Sequence, residues 1–352
     1  MVNKSFFFIP DISGFTSFVN GVDIDHSQHI VSELLELIID EDELGLSLAE
    51  VEGDAVFLYK NDEIPSFKSI VKQISKTYRK FHEHLMLYNT RRVCHCGACT
   101  SASELTLKFI VHVGESSLMN VKGHSKPYGT EVIKVHRLMK NSIAGNDYAL
   151  FSQELLEELG QKENQELQLG NDNYEELGTV EYQSMDLHHL KAEIPVPAIP
   201  LPGYKIQEPI VLSQSIDSAK GNVFELITNL DKRKDWSIGP SAYLFDEKVI
   251  NRIGTKHVCI VGDKNIEFET VTGDFGKNKL VYGEKTKDVP IFKEATTYFI
   301  LEGDDKSTDL KVEFHFELIP VIGWLLKPFI MKKFVASIKE NLKMIKKFAE
   351  AA

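Results

Sequence analysis

The chain of 352 residues is poor in cysteine and in long apolar runs, and positive charge is in the minority. Four cysteines at this length exclude a scaffold held together by disulfides. A formal net charge of -12 argues against general nucleic-acid binding, which needs a basic surface. The longest apolar run, residues 318–330, is interrupted by two prolines, a glycine and a lysine, and is too short to span a membrane. The run after the first methionine is too short for a signal peptide, so we expect a cytoplasmic protein with at most peripheral membrane contact.

The apolar fraction of 43% is that of an ordinary globular protein, and the length suits two domains. Five prolines between residues 195 and 209 disfavour both helix and sheet there. We therefore predict a first domain over residues 1–192, a proline-rich linker over 193–207 and a second domain over 208–352.

The first half alternates between strand and helix patterns. The run FFFIPDI reads as a buried strand, residues 30–38 and 70–85 have helical periodicity, and residues 105–113 alternate as a strand does. Gly53-Asp54 between two apolar arms predicts a hairpin, and the polar stretch 160–173 predicts a surface loop. These elements predict an α/β or α+β sandwich with one central sheet.

Two acidic residues of this half stand where a carboxylate can face a ligand while its backbone is fixed. Asp11 lies in PDISGFT, and Asp54 lies in EVEGDAVF. Brought together by adjacent strands, they could hold Mg²⁺ or Mn²⁺, which prefer oxygen ligands shared with substrate phosphates. Each acid alone also has a plain structural role, as a helix cap for Asp11 and as a turn residue for Asp54.

The order and spacing of these two segments resemble the metal-binding motifs of class III adenylate and guanylate cyclases. The later run KFIVHVGESSLMNVKGHSKPYGTEVIKVHRL is similar to the cyclase segment that carries substrate-specifying and transition-state residues. The resemblance covers roughly residues 5–190 and extends to an uncharacterised bacterial group of cyclase-like proteins. It implies a nucleotide-cyclase-like, ferredoxin-like α/β sandwich, a purine nucleoside triphosphate as substrate, a cyclic nucleotide and pyrophosphate as products, and a homodimer.

The resemblance also implies roles for individual residues. Asp11 and Asp54 would bind the divalent cations, with the Ile12 carbonyl nearby. Glu50 and Thr130 would read the purine, and Arg137 would stabilise charge on the phosphoryl group that is transferred. In the family's dimers, Thr130 and Arg137 would come from the other subunit.

One position departs from the family. The transition-state asparagine would stand four residues before Arg137, and this chain has Ile133 there, which donates no hydrogen bond. Loss of one such donor costs about 10²–10³ in rate. The triphosphate-binding lysine is also unassigned, with Lys134 and Lys140 as candidates. Two hypotheses stay open: a nucleotide cyclase, and a catalytically degenerate module that binds nucleotide without turnover.

Three of the four cysteines, Cys94, Cys96 and Cys99, lie within six residues. The Cys-x-x-Cys spacing suits zinc, with Cys94 or His95 as a third ligand. A fourth ligand would come from elsewhere, for instance His82, His84 or a second subunit. A loop of reduced thiols and a redox switch are the alternatives.

The second half resembles the START-like superfamily, which includes polyketide cyclase-like and lipid-transfer domains. The resemblance is carried by the order strand, helices, antiparallel strands and long final helix, and by Trp236 after the helix VFELITNL. It implies a helix-grip fold around an apolar cavity for a hydrophobic ligand, with Trp324, Phe329 and Phe334 as lining residues.

The leading hypothesis is a two-domain signalling protein in which that ligand biases the cyclase-like dimer. A third is that the second domain performs its own chemistry. The final helix carries an apolar stripe of Phe334, Ile338, Leu342, Ile345 and Ala349.

Overall fold

The computed structural model describes residues 2–20, 24–94, 96–161, 164–198, 202–247, 249–289, 292–320 and 322–351, with the backbone alone over 24–25 and 322–330. It forms two compact units. The first comprises Met1–Asn89 and Cys96–Pro197, and the second Thr90–His95 and Ala198–Ala352. Within the described residues, no helix has both the length and the apolarity needed to cross a membrane.

The first unit alternates between strands and helices, as the sequence predicts. Its elements are β1 (Val2–Ser13), α1 (Phe15–Asn20), α2 (Ile24–Asp40), β2 (Ser47–Glu52), β3 (Ala55–Asn61), α3 (Phe67–Thr90), α4 (Gly97–Ser101), β4 (Thr106–Val121), β5 (His124–Tyr128), α5 (Thr130–Leu138), β6 (Tyr148–Ser152), α6 (Gln153–Glu158), β7 (Gln168–Tyr174) and β8 (Gly178–Asp186).

These strands form one mixed sheet in the order β2-β3-β1-β4-β6-β8-β7, with β5 paired to β4. Only β4 and β6 run parallel among the pairs that the structure describes. Residues 5–13 of β1 are all buried, which is why this strand reads as a continuous apolar run rather than an alternating one. The predicted hairpin is confirmed: Glu52 pairs with Ala55 across a two-residue turn that begins at Gly53, whose φ of 69° suits glycine.

The predicted surface loop over residues 160–173 is wrong in its second part, because β7 begins at Gln168. β7 lies at the edge of the sheet and pairs with β8 alone in the strand order. Most of its side chains are exposed or half-buried, so a polar sequence is compatible with a strand whose ladder comes from its backbone. Gly170 accommodates the ring of Tyr182, which would clash with any Cβ at that position.

The second unit contains β9 (Ile210–Ile216), α7 (Lys220–Thr228), α8 (Arg233–Trp236), β10 (Ala242–Leu244), β11 (Lys256–Val261), β12 (Lys264–Val271), β13 (Leu280–Thr286), β14 (Phe292–Gly303), β15 (Thr308–Leu318) and α9 (Ile322–Ala349). The strands form an antiparallel sheet in the order β10-β11-β12-β13-β14-β15-β9. The chain as a whole is therefore mixed α+β with two sheets.

A long helix packs on the second sheet through the predicted apolar stripe. Leu342, Ile345 and Ala349 of α9 are buried in one cluster with Trp236. Phe334 stacks on Phe314 of β15, with ring centroids 5.3 Å apart. The other two predicted lining residues, Trp324 and Phe329, have side chains outside the described part of the chain.

Part of the proline-rich segment is docked on the second sheet. The backbone N–H of Tyr204 donates to Thr296 Oγ1 at 3.0 Å, and that of Ile206 donates to His315 Nδ1 at 3.0 Å. A Cβ at Gly203 would lie 2.6 Å from both the Thr296 methyl group and the Tyr298 hydroxyl, so glycine permits this close approach.

The second unit also contains a buried ion pair. Both terminal nitrogens of the Arg233 guanidinium donate to the Glu284 carboxylate, and the Tyr282 hydroxyl donates to Glu284 Oε1 at 2.7 Å. Burial alone would raise the pKa of Glu284, but Arg233 and His257 outweigh burial and hold it below its usual range. The pair is thus charged in the folded state, and its stabilisation is lost as the pH falls through the lowered pKa of Glu284.

Replacing Glu284 with Gln should lower the free energy of unfolding by about 3–5 kcal/mol, because Arg233 would keep a buried charge without its counter-ion. Urea unfolding followed by tryptophan fluorescence measures the change. Glu302→Gln is the control, since Glu302 pairs with Lys279 at the surface and should cost about 0.5 kcal/mol or less. A loss in Glu284→Gln no larger than in the control would contradict this account of the pair.

Candidate metal and nucleotide site

Strand pairing brings the two predicted metal ligands to one place. β1 pairs with β3 so that Asp11 lies opposite Ala55, the residue after Asp54. The backbone N–H of Ile12 donates to the Asp54 carbonyl oxygen at 3.0 Å, which ties the hairpin turn to β1. Asp11 lies within β1 and so does not cap α1, which begins at Phe15. The register of these two strands therefore fixes both acids.

A lysine of the neighbouring strand pairs with one of these acids. Lys108 lies opposite Asp11 in β4, and its Nζ is 3.1 Å from Asp11 Oδ2. Burial raises the pKa of Asp11, Lys108 opposes that rise, and the Asp54 carboxylate adds to it. Burial also raises the pKa of Asp54, against its own backbone N–H and Lys108. The Lys108 ammonium group thus partly offsets the burial of both carboxylates, and the pKa of each remains raised.

Both acids line a single cavity of about 590 Å³ in the first unit. Three acidic side chains and four basic ones meet there, together with three apolar side chains. The lining residues are Asp11, Glu52, Asp54, Lys108, Val132, Ile133, His136, Arg137, Met139 and Lys140.

The basic side of the cavity comes largely from α5 and the turn after it. Arg137 is exposed, and one of its terminal nitrogens donates to Glu176 Oε2 at 3.3 Å. His136 holds Glu52 in place, with Nε2 2.9 Å from Glu52 Oε1. Ile133 is 50% exposed and lines the cavity with an apolar side chain. Arg137 therefore shares a cavity with Asp11 and Asp54 within one chain.

The other predicted site residues lie outside that lining. Glu50 of β2 is half-exposed and accepts a bond from Lys126 Nζ at 2.7 Å. Thr130 is the exposed first residue of α5. Ile12 is fully buried, and its backbone N–H donates to the Asp54 carbonyl oxygen. Lys134 pairs with Glu154 at 2.7 Å, so Lys140 is the predicted phosphate lysine that reaches the cavity. The roles assigned to Glu50, Thr130 and Ile12 stay predictions.

Two charged lining residues, Lys108 and Glu52, were not predicted from the sequence. Lys108 lies between the alternating apolar positions of LTLKFIVHV, as Thr106 and His112 do, so its charge looks like that of an ordinary polar strand position. Glu52 sits immediately before the Gly53-Asp54 turn, where its charge looks like an ordinary hairpin flank.

The cysteine loop lies beside the start of α2. The ligand atoms of His26, Cys94, Cys96 and Cys99 all lie within 4.8 Å of one another. The histidines suggested as further ligands point elsewhere: His84 Nε2 is 2.8 Å from Glu33, and His82 Nε2 is 3.5 Å from Asp147. Both belong to α3, whose periodicity directs them to other neighbours. His95 lies outside the described residues.

The second unit has its own cavity, of about 170 Å³, between the sheet and α9. Its lining is mainly apolar and includes Trp236, Phe299 and Phe334. The buried pair Arg233 and Glu284 supplies charged groups in the same lining.

Comparison with known sequences gives two partial matches. A family described as "Protein of unknown function (DUF2652)" matches residues 31–148, about a third of the chain. An uncharacterized protein of Mycobacterium tuberculosis, Rv2561/Rv2562, is 29% identical over 127 residues. That match covers 34% of this chain and 55% of the relative, so the chain spans about half the length of the curated relative it matches.

Similar solved structures include nucleotide cyclase domains. The guanylate cyclase domain of RhGC from Catenaria anguillulae, solved with GTP, is 14% identical, with a TM-score of 0.38 and coverage of 53% of this chain and 99% of that one. The adenylyl cyclase CyaB from P. aeruginosa is 16% identical, with a TM-score of 0.34 and coverage of 53% and 95%.

Replacing Asp54 with Asn should raise the thermal stability of chelator-treated protein at neutral pH. Because the folded-state pKa of Asp54 is raised, its negative charge costs folding free energy above that pKa. The advantage of the variant should shrink as the pH falls through the raised pKa and be lost below 3.8, the ordinary value, where the carboxyl is neutral in both states. Thermal unfolding across this pH range is the measurement, and the exposed Asp305→Asn is the matched control. An unfolding temperature for Asp54→Asn below that of the unmodified protein at neutral pH would contradict the raised pKa of Asp54.

Proposed function

We propose that the first unit binds a purine nucleoside triphosphate through divalent cations held by Asp11 and Asp54. The observation that carries the proposal is the single cavity of about 590 Å³ that both acids line together with Lys108, Arg137 and Lys140. The carboxylates of Asp11 and Asp54 and the ammonium group of Lys108 together carry a net negative charge. That charge favours a cation that prefers hard oxygen ligands. When bound, Mg²⁺ or Mn²⁺ would neutralise phosphate charge and polarise the reacting oxygens.

The protein's own groups divide the work of binding. Asp11 is fixed by β1 and Asp54 by the hairpin turn, so the oxygens are positioned before any ligand arrives. Arg137 and Lys140 bring positive charge to the same cavity, where a triphosphate carries its negative charge. Because the chain as a whole is acidic, this local basic group rather than the overall field would attract the nucleotide.

Turnover should be weak, because Ile133 occupies the place of a hydrogen-bond donor. Its side chain lines the cavity and has no polar atom with which to stabilise charge that develops on the phosphoryl group. We therefore infer a nucleotide-binding domain with slow cyclisation at most, rather than an efficient cyclase.

The homodimer and the purine-reading roles of Glu50 and Thr130 belong to the same proposal. Thr130 is exposed at the start of α5 and Glu50 is half-exposed in β2. Both could therefore be supplied to a site completed by a second copy. Arg137 needs no second copy to share a cavity with the acids.

Equilibrium dialysis and calorimetry with Mn²⁺ or Mg²⁺ and either GTP or ATP test binding. The unmodified protein should bind nucleotide only with the cation present, and Asp54→Ala and Asp11→Ala should each weaken binding at least tenfold, as loss of a metal ligand does. Asp305→Ala, an exposed change outside the cavity, is the matched control. Binding that is equally strong without the cation, or unaffected in both variants, would refute the proposal.

A further variant separates nucleotide binding from catalysis. Ile133→Asn restores a donor at the transition-state position and should raise the rate of cyclic nucleotide formation by about 10²–10³, with little change in nucleotide affinity. Ile143→Asn, outside the cavity lining, is the control for adding an asparagine nearby. If the unmodified protein already turns over as fast as Ile133→Asn, the degenerate-site account is wrong.

A second candidate function concerns the cavity of the second unit. Its volume of about 170 Å³ and its apolar lining suit a small hydrophobic molecule, since an apolar cavity of about 150 Å³ holds benzene. Arg233 and Glu284 in the lining favour a ligand with one polar group. We propose that such a ligand and the nucleotide together make the chain a two-input signalling protein.

Calorimetric titration with 1-naphthol, which has two apolar rings and one hydroxyl, tests this cavity. Ala295→Leu fills part of the lining and should abolish binding, whereas Ala242→Leu, on β10 outside the lining, should leave binding unchanged. Equal binding by the two variants would place the probe elsewhere and remove the support for this candidate.

A further inference from the structure

Three thiol sulfurs and one imidazole nitrogen converge at the start of α2. His26 Nδ1 lies 3.2 Å from Cys96 Sγ and 3.6 Å from Cys99 Sγ. Cys94, two residues before Cys96 in the chain, places its Sγ within the same 4.8 Å group. His26 was not among the residues that the sequence suggested, because it lies 68 positions before Cys94 and carries no recognisable spacing.

The local structure fixes two of the thiols relative to each other. Cys96 is the N-cap of α4, and its Sγ accepts a bond from the Cys99 backbone N–H at 3.5 Å. Thr100 Oγ1 donates to the carbonyl oxygens of Cys96 and Gly97, and these bonds stabilise the first turn of α4. Cys99 is buried and Cys96 is partly buried.

The geometry matches one class of ion. Zinc–sulfur bonds of about 2.3 Å and zinc–nitrogen bonds of about 2.0–2.1 Å in a tetrahedron place neighbouring ligand atoms about 3.5–3.8 Å apart. The distances from His26 Nδ1 to the two sulfurs, 3.2 and 3.6 Å, lie close to that spacing before any ion is present. Three sulfurs and one imidazole suit a soft or borderline cation, and do not suit Mg²⁺ or Ca²⁺.

We propose that His26, Cys94, Cys96 and Cys99 form a closed Cys₃His site for one Zn²⁺ ion. With four protein ligands no position is left for substrate, so the role is structural rather than catalytic. Zinc would replace the protons of the three thiols and tie the start of α2 to the N-terminus of α4. This proposal does not rest on nucleotide binding, and either could fail without the other.

The full chain, purified under reducing conditions, tests the site by elemental analysis. We expect one zinc per chain in the unmodified protein and at least a tenfold loss of zinc in His26→Gln, Cys96→Ser and Cys99→Ser. His29→Gln, one turn further along α2, and Cys259→Ser, the fourth cysteine, are the matched controls and should keep the ion. Circular dichroism of each variant checks that the fold persists.

Cobalt substitution gives a second readout that does not depend on stability. Co²⁺ bound to three thiolates and one imidazole should show the intense visible absorption of a tetrahedral thiolate site, weaker in each Cys→Ser variant and shifted in His26→Gln. Full zinc occupancy in His26→Gln would overturn the ligand set. A protein that takes up neither Zn²⁺ nor Co²⁺ under reducing conditions would overturn the site. The same conclusion would follow if Cys96 and Cys99 formed a disulfide and bound no metal once that disulfide was reduced.

Discussion

The pairing of β1 with the β2–β3 hairpin is the constraint on which the candidate nucleotide site depends. It sets Asp11 opposite Ala55 and joins Ile12 to Asp54 through one backbone hydrogen bond. A shift of one residue in this register would turn Asp11 to the other face of the sheet and separate the two acids. Because β1 is buried on both faces, its apolar side chains do not fix this register by themselves, and the backbone bond from Ile12 to Asp54 and the hairpin turn at Gly53 hold it.

Lys108 shows how the same sheet tolerates one buried acid, Asp11, beside one half-buried acid, Asp54. Its ammonium group offsets part of the cost of burying Asp11, yet the pKa values of both acids remain raised. The negative charges of both acids therefore cost folding free energy at neutral pH, and a bound cation would offset that cost. The second unit resolves a similar problem differently, since Arg233 neutralises Glu284 with two donors and the carboxylate keeps a lowered pKa.

Sequence patterns predicted the features that depend on local chemistry. The Gly53-Asp54 hairpin, the helical periodicity of α2 and α3 and the apolar stripe of α9 follow from turn preference and burial on one face. β7 was missed because an edge strand needs no apolar alternation. Lys108 and His26 were missed because their roles arise from strand pairing and helix packing between distant segments, which no spacing within one segment encodes.

Asp11 and Asp54 must bind the same divalent cations if the first unit binds nucleotide as proposed. A crystal grown with Mn²⁺ and GTP, measured for anomalous scattering from manganese, tests it most directly. The account predicts an anomalous peak between the two carboxylates, with the phosphates extending toward Arg137 and Lys140. Ordered nucleotide with no manganese at these carboxylates, or manganese bound only at other acidic groups, would contradict it.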